Sequence, residues 1–133
     1  MANEALLRDR FSDPVDFVCS DNLGMEKGTI LMLSGARTVY PTAADGNVFA
    51  GILAREKIGG DGRTTASVYV DGIFDCAFVG PAVTQGSQVS VSGANILKIM
   101  SAGDSEDGVA FGKILETSTA GDTTNQVMIG RGY

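Results

Sequence analysis

The chain contains no histidine, which removes the commonest neutral-pH general base and excludes Ser-His-Asp triads, Cys-His nucleophile pairs and His-ligated zinc. The residues left that could do chemistry are two cysteines, some carboxylates and one glycine-rich loop. Cys19 and Cys76 have no CxxC spacing, so they read as two buried thiols rather than a metal site or a disulfide. Asp104, Glu106 and Asp107, before Gly108, gather oxygen ligands of the kind calcium takes, but their spacing matches no known calcium loop. They read as a solvated acidic turn, as do Asp45-Gly46-Asn47 and Gly121-Asp122. Gly59-Gly60-Asp61-Gly62-Arg63-Thr64 looks superficially like a phosphate cradle. It lacks the GxxxxGK[ST] pattern and leads into a strand rather than a helix, so it reads as a flexible hairpin loop.

Other chemistries fail on composition. Paired carboxylates for glycoside cleavage need an aromatic-lined cleft, and the aromatics are six Phe and three Tyr, mostly inside strand patterns. Leu97-Lys98-Ile99-Met100 invites comparison with biotinyl and lipoyl carrier domains, yet Lys98 stands inside an apolar run rather than at a hairpin tip. No enzyme activity, cofactor or metal is expected. A net charge of −6, with ten dispersed basic residues, argues against a surface that neutralises phosphates, so no nucleic-acid partner is expected. No stretch approaches a membrane-spanning length, and MANEALLRDRF lacks the apolar core of a signal peptide. A protein made and kept in a cytoplasm, or in what assembles there, is the expectation.

Weak chemistry turns attention to the scaffold. One domain with one core fits 133 residues. Eighteen glycines, about twice the usual ~7%, are scattered between short apolar runs, the punctuation of a turn-rich β protein. Strands are predicted over Val15 to Cys19, Thr29 to Leu33, Thr38 to Tyr40, Val48 to Ala54, Thr65 to Val70 and Gly72 to Val79. Four more follow, over Gln88 to Ser92, Asn95 to Met100, Val109 to Thr117 and Gln126 to Ile129. Period-two alternation in Ser67 to Val70 and Gln88 to Ser92 gives each strand one buried face. Asp71-Gly72 reads as a two-residue hairpin turn. The class is all-β, a barrel or sandwich.

A faint internal repeat appears at an offset near 58. Phe17-Val18-Cys19 meets Phe74-Asp75-Cys76, Gly28 meets Gly86, Leu31 and Leu33 meet Val89 and Val91, and Gly35-Ala36 meets Gly93-Ala94. Further on, Phe49 to Ala54 resembles Ala110 to Glu116, and Val68 to Val70 resembles Val127 to Ile129, with the offset drifting to about 59 to 62. A true duplication and mere recurrence of β-turn grammar both account for this. Either way the halves interlock into one body.

Residues 1 to 14 differ from the body at 15 to 133. They are charged, end in Asp13-Pro14, and hold one apolar cluster of Leu6, Leu7 and Phe11. Leu7 and Phe11 stand four apart, which suits a brief helical turn. So charged a segment needs something to lie on, and a partner is expected to hold it as an extended arm.

The glycine and aliphatic patterns, over about residues 15 to 130, carry a resemblance. They are Phe49-Ala50-Gly51-Ile52-Leu53-Ala54-Arg55-Glu56 with Ser67-Val68-Tyr69-Val70-Asp71-Gly72, then Pro81 to Val89, then Phe111-Gly112-Lys113-Ile114-Leu115-Glu116 with Val127-Met128-Ile129-Gly130. In these the chain resembles the small head-decoration, or cement, proteins of tailed phages and related viruses. The resemblance implies a β-barrel or β-tulip-like body, a homotrimer, and the major capsid protein as partner, on the exterior of virions assembled in a host cytoplasm. It also implies that the arm meets the capsid, with Leu6, Leu7 and Phe11 as apolar anchors and Arg8 and Arg10 on capsid carboxylates. The same residues would otherwise cover a neighbouring subunit. The rival readings are a displayed carbohydrate- or host-binding module and a tail-tube or spike subunit.

Overall fold

Alternating runs rich in Val, Ile and Leu, parted by glycine, form strands throughout the computed structural model, which describes residues 4–45, 47–78, 85–99, 112–116 and 124–130. In chain order the strands are β1 (Leu6–Asp9), β2 (Val15–Val18), β3 (Ile30–Gly35), β4 (Thr38–Pro41), β5 (Phe49–Leu53) and β6 (Thr65–Tyr69). They continue as β7 (Gly72–Phe78), β8 (Gln88–Gly93), β9 (Ile96–Ile99), β10 (Gly112–Ile114) and β11 (Thr124–Ile129). There is no helix among the described residues, and the protein is all-β. Each predicted strand has a counterpart in β2 to β11. The predicted extensions to Val79, to Met100, over 109–111 and at Thr117 lie outside the described residues.

The strands close into two rings. In the first, β2-β4-β3-β5-β6 form a barrel, antiparallel except for the parallel contact of Val18 with Thr38. In the second, β7-β11-β10-β8-β9 pair in turn, and a parallel β7–β9 contact completes the ring. The pairings correspond one to one, with β2 to β6 standing for β7 to β11.

The correspondence extends to register. Leu31, Met32 and Leu33 face Pro41, Tyr40 and Val39 across β3 and β4, with a bulge between Leu33 and Gly35. Val89, Ser90 and Val91 face Ile99, Lys98 and Leu97 across β8 and β9, with a bulge between Val91 and Gly93. Every position is advanced by 58 (Leu31 to Val89). The turns inside the two hairpins carry Arg37 (φ 49°) and Asn95 (φ 56°), which are left-handed at equivalent positions. Gly28 and Gly86 likewise match, at φ 92° and 88°. The Gly28 amide donates to Leu53 and the Leu53 amide to Thr29, as Gly86 does to Ile114 and Ile114 to Ser87. Agreement in topology, register, bulge and backbone sign goes beyond shared turn chemistry. The fold is a tandem repeat of one five-stranded unit.

Two apolar clusters replace the single expected core. Cys19, Met25, Leu31, Val39, Leu53, Ala66 and Val68 fill the first barrel. Phe74, Cys76, Val89, Val91, Leu97, Ile114, Val127 and Ile129 fill the second, in one cluster with Ala5 and with Ile30, Ile52 and Tyr69 of the first barrel. Because consecutive strand residues point to opposite faces, Leu31, Leu53 and Val68 point into their own barrel. Their neighbours Ile30, Ile52 and Tyr69 point out of it, toward the second. The two rings are thereby one body.

Three expectations change. Asp71-Gly72 is not a hairpin turn, since β6 pairs with β2 and β5 while β7 pairs with β11, β1 and β9. No strand edge is left for β6 and β7 to share, and Gly72, at φ 134°, swings the chain from one barrel to the other. The helical turn expected around Leu7 is strand β1, because β7 offers a free edge and main-chain pairing outweighs a four-residue side-chain spacing. Finally, Cys19 does not correspond to Cys76. Pairing of Val15 with Val68 and of Phe74 with Val127 sets Val15 on Phe74 and Phe17 on Cys76.

Candidate interaction surfaces

The N-terminal arm is an edge strand of its own chain. In β1, Leu6 lies opposite Asp75, Leu7 opposite Phe74 and Asp9 opposite Ile73, antiparallel to β7, with a bulge between Leu7 and Asp9. The Ala5 amide donates to the Gly28 carbonyl at 2.8 Å, fastening the strand's start to the first barrel. The segment thus orders on its own body, whereas the sequence suggested that a partner holds it.

The five arm residues separate into two groups. Leu7 packs against the second core, so it belongs to the fold. Leu6 is 58% exposed and Phe11 38%. Arg8 reaches Asp75 at 3.6 Å and Arg10 reaches Asp13 at 3.6 Å, so both arginines meet carboxylates of this chain while remaining at the surface. An open groove of about 450 Å³ runs beside the strand, lined by Glu4, Ala5, Leu6, Leu7 and Lys27. β1 lies at the margin of its sheet, and its outer edge presents backbone donors and acceptors for strand addition.

The glycine-rich loop at 59–64 is built around a buried lysine that sequence reasoning missed. Lys57 is 2% exposed. Its Nζ donates to the Asp21 carbonyl at 2.9 Å, the Ile58 carbonyl at 2.8 Å and Asp61 Oδ1 at 2.8 Å. Asp61 Oδ1 also accepts the Arg63 amide at 2.9 Å, and Asp21 Oδ1 accepts the Gly62 amide at 2.6 Å. The Lys57 ammonium, followed by the Arg63 amide, holds the Asp61 carboxyl well below the usual carboxylate range. The loop's charges are thus satisfied within the chain, and its glycines turn tightly around a fixed cation. A signal was present in the sequence: a lone lysine in a strand-to-loop passage four residues before Asp61.

The remaining candidates are quiet. Cys19 and Cys76 are buried free thiols. Burial pushes the Cys76 thiol up to about 12, and burial raises Cys19 as well, so neither is an activated nucleophile. Lys98 Nζ meets Asp45 Oδ1 at 2.6 Å. The described residues hold no cluster of His, Cys, Asp and Glu fit for a metal ion, and Asp104, Glu106, Asp107 and the Gly121-Asp122 turn lie outside them. No described helix is long and apolar enough to cross a membrane. No protein-family model matches the chain, and no curated protein matches it.

Proposed function

We propose that the chain is a structural virion protein, a decoration protein that binds the outside of an expanded capsid, as a homotrimer, and braces it against packaged DNA. The observation that carries this reading is the arm: an edge strand fixed to a double-barrel body, with Leu6 exposed beside an open groove and Phe11 exposed just past the strand's end. A sheet edge with apolar side chains on a rigid scaffold suits main-chain docking against an extended segment of capsid protein. Many copies acting together resist expansion by avidity, so each contact need not be tight. The resemblance in the glycine and aliphatic patterns supports the same reading, and an acidic surface keeps such a protein from sticking to nucleic acid during assembly.

The test is binding to expanded, undecorated capsids of the virus that encodes the chain, followed by sedimentation and by capsid melting temperature. Wild type is expected to bind saturably and raise the melting temperature, and Leu6→Glu with Phe11→Glu to bind far more weakly while folding normally. A substitution pair is the better probe than deleting residues 1 to 14, because deletion strips β1 from β7 and confounds binding with folding. Absence of binding at any concentration overturns the proposal in favour of a displayed binding module or a tail component.

A further inference from the structure

The repeat exposes a surface on the first barrel whose counterpart on the second is covered. In the second barrel, the inward row at the end formed by the start of β7 and the ends of β8 and β11 is Phe74, Val91 and Ile129, at 1%, 0% and 0% exposure. These side chains share a cluster with Ile30, Ile52 and Tyr69 on the outer face of the first barrel and with Ala5. Tyr69 meets Phe74 ring to ring at 5.7 Å. The contact is pinned by Asn95, whose Oδ1 accepts the Ile30 amide at 2.8 Å and whose amide donates to Thr42 Oγ1 at 3.2 Å.

The equivalent row on the first barrel is Val15, Leu33 and Val70. These stand at 39%, 40% and 36% exposure, although each belongs to the row that in the second barrel is sealed. Val48, at 43%, lies just before β5 at the same end. The backbone edge of β2 differs there as well: β7 is covered at Ile73 to Asp75 by β1, whereas the matching residues of β2 have strand pairing to β6 alone among the described residues, and the Asp16 carbonyl accepts the Arg37 guanidinium at 2.6 Å instead of a strand. The apolar end of one barrel is thus closed within the chain and the identical end of the other is left open.

We infer that this open end takes a second copy of the chain, docked through the outer face of its second barrel, so that copies join head to tail by repeating the contact between the two barrels of one chain. The face that would seat is the counterpart of Ile30, Ile52 and Tyr69, namely Gln88, Lys113 and Met128, all half-buried in strands β8, β10 and β11. Met128 and the aliphatic stems of Gln88 and Lys113 lie readily on Val and Leu with their polar ends at the rim. Asp16, next in sequence to Val15 and exposed, brings a carboxylate to the rim that complements the Lys113 ammonium. The docking face is more polar than its counterpart inside the chain, Ile30, Ile52 and Tyr69, which suits a junction between copies that also fold alone. A head-to-tail contact is heterologous and closes into a ring when its rotation permits. This deepens the oligomeric part of the proposed function and assigns it a surface, without depending on the capsid.

Sedimentation of the purified protein from micromolar to millimolar concentration tests it. Wild type is expected to assemble beyond the monomer, and Leu33→Asp and Met128→Asp each to sediment as monomers with unchanged circular dichroism. An equimolar mixture of the two variants retains one intact seat and one intact face between unlike copies, so it is expected to give dimers and nothing larger. Wild-type monomer throughout, oligomers that survive either substitution, or a mixture that stays monomeric would each overturn the inference. Val70→Asp and Lys113→Glu probe the same two surfaces should either first choice unfold. Capsid binding read in parallel separates the two ideas, since a monomer that still decorates capsids removes this junction and leaves the capsid reading standing.

Discussion

Asn95 and Ile30, 65 positions apart, join the two barrels through one buried hydrogen bond: the Asn95 Oδ1 accepts the Ile30 amide at 2.8 Å, and both residues are fully buried. Asn95 does this from a left-handed backbone, which asparagine tolerates better than most residues. Asn95→Ala removes the acceptor, orphans a buried amide and adds backbone strain, an expected loss of about 2–4 kcal/mol. Asn95→Gly relieves the strain and keeps the orphan, so urea denaturation should place it between alanine and wild type. Equal losses for Ala and Gly would show that the backbone contributes nothing.

Gly51 and Gly112 test whether the two barrels obey one packing rule. A Cβ on Gly51 would fall on Val68 Cγ1 and the Tyr69 carbonyl, and one on Gly112 on the Met128 carbonyl at 2.5 Å. Both glycines let neighbouring strands approach at equivalent points. Gly51→Ala and Gly112→Ala are each expected to cost about 1–3 kcal/mol through overpacking. Thermal melts of the two variants should fall together; a neutral result at either site would show that strand spacing there relaxes freely.

Much of this architecture was legible because the strands are short, alternate in polarity and are bounded by glycine. The offset of 58 tied Leu31 to Val89 and Gly35 to Gly93 correctly, since turn residues and inward rows recur together. β1 was not legible: Leu6 to Asp9 has no alternation, and only the distant edge of β7 makes it a strand. Asp71-Gly72 misled for the same reason, because hairpin grammar is local and the edges of β6 and β7 are claimed by remote partners. The cysteines misled as well, being the rarest matching letters in a repeat that aligns two positions away. Of the arm residues, Leu6 and Leu7 were indistinguishable in sequence, and only register shows that one faces solvent and the other the core. Leu33 and Val70 lie in strand patterns that do not set them apart from their buried repeat counterparts Val91 and Ile129, and only the tertiary structure leaves them exposed.

The Lys57 cluster should make the protein sensitive to acid. Asp61 has a carboxyl depressed below its unfolded value, so its contribution is complete above the ordinary carboxylate range and is lost as pH falls through the folded value. Stability measured by denaturant titration should therefore drop below about pH 4, and Asp61→Asn should flatten that part of the curve. Lys57→Met leaves the carbonyls of Asp21 and Ile58 without their charged donor, an expected cost of about 2 kcal/mol. An unchanged acid limb in Asp61→Asn would place the sensitivity in other carboxylates.

The thiols should be silent until the protein unfolds. Cys76 is 1% exposed with its thiol pushed up to about 12, and Cys19 is 2% exposed and raised, so thiolate is scarce and access is blocked. Ellman's reagent at neutral pH is expected to find no reactive thiol in the folded protein and both thiols in denaturant without reductant. Rapid reaction of Cys19 alone would show that the first barrel opens locally before the molecule unfolds.

Leu6 and Leu7, adjacent in β1, should separate docking from folding. Leu7 packs on the second core opposite Phe74, so Leu7→Asp places a charge against buried aromatic and aliphatic groups and is expected to cost about 2–4 kcal/mol. Leu6 points away and is 58% exposed, so Leu6→Glu should change stability by less than about 0.5 kcal/mol. Arg8→Ala should be equally mild, since its ion pair with Asp75 is 3.6 Å long and its side chain half exposed. The decisive comparison is the affinity of stable variants for capsids. If Leu6→Glu weakens binding with its melting temperature intact, the outward face of β1 touches the capsid. If it binds as wild type does, β1 serves only to close the second barrel, and any capsid contact lies elsewhere on the double-barrel surface.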